Sequence, residues 1–220
     1  MNLFQKYWSY FFRIRVEQVS SKHNPKLVVA IQDGKYVLNA NNANYSFGSL
    51  HRVFQKTFNK LNLLDKNINS VLLLGAGAGS VSSIIYDELK LTPKIDAVEI
   101  DEEVVKLGKK YFHLEQYEKL TIHVEDAIHY VKDTKLIYDL IVVDLFEGIN
   151  VPQKFCNEAF FLLLQRILRE NGRLIFNFVA YNHETKERAK RIKKSLQHTF
   201  NNEVDVFKLE RINVVYAVKK

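Results

Sequence analysis

The spacing of apolar positions changes character along this chain. Between Arg13 and Val19, apolar and polar residues alternate, with Ile14 and Val16 on one face and Arg13, Arg15 and Glu17 on the other. A period of two predicts a strand. Leu27 to Ile31 and Tyr36 to Leu38 flank Gln32-Asp33-Gly34-Lys35, and an Asp-Gly pair between apolar runs predicts a hairpin. Residues 3–12 are aromatic and predict a short helix covering an apolar surface, and Asn39 to Ser46 reads as a polar loop. The start of the chain is thus a small antiparallel sheet. Ser49 to Leu61 then switches to helical spacing, with Leu50, Val53, Phe54, Thr57, Phe58 and Leu61 on one stripe.

From Val71 onward, short apolar runs alternate with helical patterns. Strands are predicted at 71–74, 95–99, 120–124, 139–144 and 173–179, and helices at 80–90, 102–111, 126–133 and 155–170. Nearly continuous apolar strands suit a parallel sheet covered on both faces. Asn171-Gly172 is expected to stop the long helix. A last helix, 184–199, precedes two runs, Val204 to Leu209 and Ile212 to Val218, separated only by Glu210-Arg211. So short a gap requires an antiparallel hairpin.

Composition narrows the class. The 220 residues suit one domain with a small appendage, and 47% apolar content supplies a core. A single cysteine, Cys156, excludes a disulfide framework and fits a reducing cytosol. No stretch approaches the ~20 apolar residues of a membrane span, and the aromatic start lacks the layout of a signal peptide. Net charge is +7, partly from Lys186 to Lys194. That run reads as a solvated helix face rather than a nucleic-acid platform, because no aromatic residues interleave it.

The chemistry concentrates after Val71. Gly75, Gly77 and Gly79 interrupt the chain between a strand and a helix, allowing positive φ and close approach of a ligand. Their GxGxG spacing lacks the third glycine position of the dinucleotide fingerprint, so the turn suits an adenosine cofactor with an amino-acid tail better. Glu99 ends the next strand, 20 residues after Gly79, where a carboxylate can accept from two ribose hydroxyls. Asp101 reads as a helix cap. Asp126, ahead of Ala127, is either a helix cap or an acceptor for an adenine amino group, and the two roles can coexist. Asp144 ends a further strand, with Glu147 three residues on, placed to orient an amine or take its proton. Tyr45 and Tyr181 read equally as lining for an acceptor pocket and as ordinary packing. The histidines show no metal-ligand spacing, so no metal is expected, and Ser80 has no triad context.

The terminal antiparallel hairpin on a parallel sheet resembles the class I S-adenosylmethionine (SAM) dependent methyltransferase fold. Within it, VLLLGAGAGS, AVEID, EDA, VVDLFEG and VPQKFCNEAFFLLLQRILRENG resemble the spermidine synthase family in order and spacing. The resemblance covers roughly residues 27–200. It implies that Gly75, Gly77 and Gly79 wrap the methionine-derived part of the cofactor. Glu99 would bind ribose, and Asp126 with Ala127 would hold adenine. Asp144 matches the first aspartate of the family's Asp-Ser-Ser-Asp-Pro motif, which helps deprotonate the attacking amine. The departures are Leu145, Phe146 and Glu147 within that motif, Ala78 where the family has an aspartate for the donor's amine, Gly48-Ser49-Leu50-His51 for its Tyr-His-Glu stretch, and Val37 for a hairpin glutamine.

The expected fold is therefore α/β: a SAM-methyltransferase-like Rossmann fold, with a mostly parallel seven-stranded sheet ending in an antiparallel hairpin and a small N-terminal antiparallel β-sheet before it. Residues 1–48 form the β-rich region and 49–220 the SAM-binding domain. The departures favour methyl transfer from S-adenosylmethionine to a small acceptor such as an amine, with Asp144 and Glu147 as catalytic groups and Asp144 also touching the cofactor. The alternatives are aminopropyl transfer from decarboxylated SAM to a polyamine, and a non-catalytic nucleoside-binding module. A cytoplasmic protein without nucleic-acid or membrane partners is expected, and the aromatic N-terminus suits a homodimer interface.

Overall fold

The computed structural model describes residues 2–40, 43–65 and 67–220, without the side chains of 43–45 and 65. Four strands, β1 (Ile14–Val19), β2 (Leu27–Gln32), β3 (Lys35–Ala40) and β4 (Ala43–Ser46), form an antiparallel sheet in sequence order. Asp33 and Gly34 both take positive φ, as the two-residue turn joining β2 and β3 requires. β4 lies inside the stretch expected to be a polar loop. Asn-rich sequence carries no apolar alternation, yet its backbone completes the ladder on β3.

The N-terminal helix α1 (Leu3–Trp8) is shorter than expected and buries none of its residues. It does not cover an apolar surface. Aromatic rings pack on one another instead, Phe4 tilted against Trp8 and Trp8 stacked on Phe12. Ser9 anchors the segment by accepting from the N–H groups of Asp33 and Gly34.

The second sheet has seven strands: β5 (Ser70–Leu74), β6 (Lys94–Glu99), β7 (Leu120–Val124), β8 (Tyr138–Val143), β9 (Leu168–Val179), β10 (Val204–Leu209) and β11 (Asn213–Lys219). Their spatial order is β10-β11-β9-β8-β5-β6-β7. β5 to β9 are parallel, and β11 runs antiparallel to both β9 and β10. The seven strands and the terminal hairpin match the expected architecture. Chain order reverses at the β5–β8 pair, and a crevice opens at the carboxyl ends of strands at such a point.

Strand residues alternate between two apolar layers, as the pleat dictates. Leu72, Leu74, Ile141 and Val143 pack with α5 (Ala127–Asp133), α6 (Glu158–Ile167) and α7 (His183–Phe200). Val71, Leu73, Leu140 and Val142 pack against α2 (Ser49–Lys60) and α3 (Ser80–Ser83). The small sheet rests on α4 (Glu102–Phe112) through Leu27, Val29 and Leu38 against Val104, Leu107 and Phe112.

Two helices differ from the periodicity. α3 is α-helical only to Ser83 and continues as a π turn over Ile84–Glu88. The helix expected over 155–170 divides: a 3₁₀ turn covers Gln153–Phe155, α6 begins after Asn157, whose side chain accepts from the Phe160 N–H, and the strand begins at Leu168. Asn171-Gly172 therefore lies within β9 and does not cap the helix. The terminal residue Lys220 binds it there, Asn171 N–H donating to the Lys220 carbonyl and Lys220 N–H to the Gly172 carbonyl. The basic run lies on α7. Arg188 turns inward to the Val151 carbonyl at 2.9 Å and over the Phe178 ring, while Lys190 pairs with Glu187.

Candidate active site

The glycine turn sits at the carboxyl end of β5. Gly75, Gly77 and Gly79 have φ of 87°, 54° and 96°. At Gly75 the need is steric as well, because a Cβ would collide with the backbone carbonyl of Asp144. That contact lets β5 and β8 deliver their ends to one point. The N–H groups of Gly75 and Ala76 donate to the Val98 carbonyl, folding the turn toward β6. Gly77 N–H donates to Glu99 Oε2 at 2.9 Å, and Asp101 N–H donates to Glu99 Oε1 at 3.1 Å. Burial raises the Glu99 pKa, and these hydrogen bonds offset part of that rise. Ala78 N–H donates to Ser46 Oγ. Gly79 faces away, against Leu114.

A cavity of about 340 Å³ opens at this end of the sheet. That is within the range of small-molecule sites. Gly75, Gly77, Glu99, Asp126, Ala127, Asp144 and Glu147 all line it; Gly79 does not. Asp101 is buried behind the wall, where it caps α4 and accepts from Ser21 and Asn24 of the small sheet.

Asp126 caps α5 through Oδ1, which accepts from Ile128 N–H at 2.7 Å. The other oxygen, expected to be left over, accepts from Lys154 Nζ at 2.8 Å. Burial raises this carboxyl's pKa, but the Lys154 hydrogen bond and the Ile128 N–H outweigh it and hold the group below the usual range. Asp144 is half-buried by area yet deep in the protein. Its Oδ1 accepts from Asn177 Nδ2 at 2.9 Å, and Asn177 Oδ1 accepts from Asn213 Nδ2 at 3.1 Å. Burial pushes Asp144 up to about 7; the Asn177 hydrogen bond opposes this, and the Glu99 charge adds to it. An acid poised there can hold or release a proton near neutrality.

Glu147 is exposed on a tight turn, exchanging backbone hydrogen bonds with Asn150. Tyr181 does not line the cavity; its hydroxyl donates to Asn150 Oδ1 at 3.2 Å. The Tyr45 side chain lies outside the described residues. Lys154, Asn177 and Asn213 escaped the sequence reading. Asn177 had a usable signal: a lone amide within the apolar run Leu174 to Val179 needs a buried partner.

Ser80 has partners its surroundings in sequence did not reveal. His51 Nδ1 lies 2.9 Å from Ser80 Oγ, and His51 Nε2 lies 2.6 Å from Glu88 Oε1. The order Ser–His–Glu is that of a hydrolytic triad, but Ser80 is buried and outside the cavity lining. The three side chains clamp α2 to α3 and the π turn. Cys156 is a partly buried thiol whose pKa burial raises, as an inert cysteine requires.

The spermine/spermidine synthase domain model matches residues 53–209. Among curated relatives, a polyamine aminopropyltransferase of Clostridium acetobutylicum is 34% identical over 143 residues, covering 59% of this chain and 49% of the relative. One of Vibrio vulnificus is 31% identical over 122 residues, covering 52% and 40%. The chain thus spans about half the length of the curated relatives it matches, or less. A probable spermidine synthase from Corynebacterium glutamicum superposes with TM-score 0.76 at 19% identity, covering 93% of this chain and 79% of that one. Human methyltransferase-like protein 13, in complex with SAH, gives 0.64 at 22%, covering 78% and 82%. These structural likenesses concern the fold.

The expectation of methyl transfer is overturned by the relatives, which are named polyamine aminopropyltransferases. It rested chiefly on Ala78, a missing carboxylate in the turn, together with the departures at Leu145 to Glu147, Gly48 to His51 and Val37. Such local departures do not fix the donor when Glu99, Glu125, Asp126, Asp144 and Glu147 all line the same cavity. With its family model covering well over half the sequence, this chain belongs to the spermine/spermidine synthase family.

Proposed function

We propose that this chain transfers an aminopropyl group from decarboxylated S-adenosylmethionine to an amine acceptor, the type of reaction its relatives' name describes. The observation that carries the reading is Asp144, an acid raised to about 7 at the carboxyl end of β8, within a cavity that also holds Glu99. The donor's sulfonium and ammonium are both cationic. Among the described residues, a lining of five carboxylates with Lys154 as its one lysine or arginine suits such a molecule.

In this reading the Glu99 carboxylate binds the ribose, and Asp126 with the start of α5 meets the adenine. Gly75 and Gly77 leave room for the chain carrying the sulfonium. When bound, the donor supplies a carbon activated by a good leaving group, neutral thioether sulfur. Asp144 accepts the proton that the attacking ammonium must lose. The amine nitrogen then forms a bond to the aminopropyl carbon as the carbon–sulfur bond breaks and its electron pair stays on sulfur. Positioning supplies most of the acceleration, and the proton transfer adds on the order of 10²–10⁴-fold. Glu147 sits at the rim, where it helps steer a cationic acceptor inward.

Incubation with decarboxylated S-adenosylmethionine and a panel of amines should release 5′-methylthioadenosine. Absence of release with every amine would refute the proposal.

A further inference from the structure

The aromatic segment ahead of β1 has no part in the cavity. At about 100° per residue, Leu3, Phe4, Tyr7 and Trp8 fall on one side of α1, and Gln5, Lys6 and the C-cap Ser9 on the other. Ser9 is buried and bound to the β2–β3 turn. The helix is therefore fastened by its polar side and turns its aromatic side outward. Phe4, Tyr7, Phe11 and Phe12 are 65–69% exposed, and Trp8 is 42% exposed. Ring contacts join all five into one patch: Phe4 with Trp8, Tyr7 with Phe11, and Trp8 with both Phe11 and Phe12. A contiguous exposed apolar patch marks a surface that binds something.

The charge along this segment has one sign. Lys6, Arg13 and Arg15 are exposed, and the first acid in the chain, Glu17, is engaged by Lys110 and Tyr111. Asp33, in the turn that Ser9 binds, is offset by Lys35 two residues on. We infer that the segment lays the protein on an anionic lipid surface, with its rings in the interfacial layer and its cations among the phosphates. Trp and Tyr combine an apolar ring with a polar N–H or O–H, which suits the boundary between headgroup and hydrocarbon. Lys and Arg beside them are drawn to anionic headgroups. A second copy fits this patch less well. A two-fold contact sets the same patch against itself, bringing Lys6, Arg13 and Arg15 toward their own copies with no acid of the segment between them. Among the described residues no helix is long and apolar enough to cross a membrane, so the contact is with its surface. The expectation of no membrane partner rests on that lack of a spanning stretch, which bears on crossing and not on lying at the interface.

Trp8 is the chain's single tryptophan, so its fluorescence reports on this segment directly. The test titrates the whole chain with vesicles of phosphatidylcholine containing about 30% phosphatidylglycerol, and with phosphatidylcholine alone. The anionic vesicles should shift Trp8 emission to the blue and carry the protein down on sedimentation, with an affinity at least about tenfold above that for the neutral ones. Raising salt from about 0.1 to about 0.5 M should weaken the binding. Phe4→Ser combined with Phe11→Ser should weaken it at least about tenfold, and Lys6→Gln about fivefold. All three positions are exposed, and an unchanged urea midpoint shows the fold intact. No blue shift and no sedimentation with anionic vesicles overturns the inference. Equal binding to the neutral vesicles overturns the anionic assignment. A dimer in lipid-free solution that the double serine variant abolishes gives the patch to a second copy, and overturns it as well. The transferase reading is scored separately, on 5′-methylthioadenosine release without vesicles.

Discussion

Replacing Asn177 with leucine isolates the control of Asp144. Asn177 is fully buried, donates to Asp144 Oδ1 at 2.9 Å, and is itself oriented by Asn213. Leucine has the same branched skeleton, a somewhat larger volume and no donor. A hydrogen bond to a charged acceptor contributes about 1.5–3 kcal/mol, and it favours the ionised form only. Its loss therefore moves the Asp144 pKa upward by about 1–2 units at 1.36 kcal/mol each. Starting from about 7, the new midpoint falls near 8–9. At about pH 7 the ionised fraction drops from one half to between about 0.09 and 0.01, a loss of roughly 5- to 50-fold in rate if the ionised form is the base. The loss should be recovered at about pH 9.5 in the variant. The pH profile of 5′-methylthioadenosine release reads this directly, and carbon-13 NMR of the Asp144 carboxyl gives the same midpoint without turnover. A variant whose midpoint stays within about 0.3 unit of the parent would refute the reasoning, as would a loss of rate equal at every pH.

Asp144→Asn tests the same acid through stability. The folded pKa lies above the unfolded value near 3.9, so the folded state binds more protons between those limits and loses stability as pH rises through about 7. The amide should stabilise the protein by about 2–4 kcal/mol in urea unfolding at about pH 8, with the gain vanishing below about pH 4. Gly75→Ala places a Cβ against the Asp144 carbonyl at a φ of 87°, and should cost about 2–4 kcal/mol or prevent folding. Lys154→Met frees one oxygen of Asp126 and should tighten 5′-methylthioadenosine binding by up to about tenfold in calorimetry. Weaker binding would mean that Lys154 itself holds the ligand. Glu99→Gln leaves Gly77 N–H or Asp101 N–H facing an amide donor, and should lower urea stability by about 1–3 kcal/mol while weakening nucleoside binding.

What could be read in the sequence were features whose cause is local. The glycines announce a turn because side-chain-bearing residues rarely adopt φ as positive as those of Gly75 and Gly79, and Glu99 and Asp144 announce strand ends because each closes an apolar run. The terminal hairpin followed from a two-residue gap. Features set by distant pairing were hidden. Lys154 reaches Asp126 from 28 residues away, and Asn177 reaches Asp144 across the β8–β9 pairing. β9 begins at Leu168 because Tyr138 and Lys220 supply its partners, neither of which helical periodicity can register. Ala78 shows the opposite error. That change, with the few other local departures, carried too much weight against the charge of the whole cavity.

Asp101 gives the molecule a seam that a cloning boundary should respect. Its carboxylate, two residues from Glu99, receives hydrogen bonds from Ser21 and Asn24 and is almost wholly enclosed. A fragment beginning at Ser49 would strip those donors away and open α4 where Leu27 and Leu38 now rest. The segment most exposed to this loss is the one that carries Glu99. Shortened versions of this chain should therefore lose nucleoside recognition before they lose the sheet, and adding the missing strands as a separate peptide should restore it.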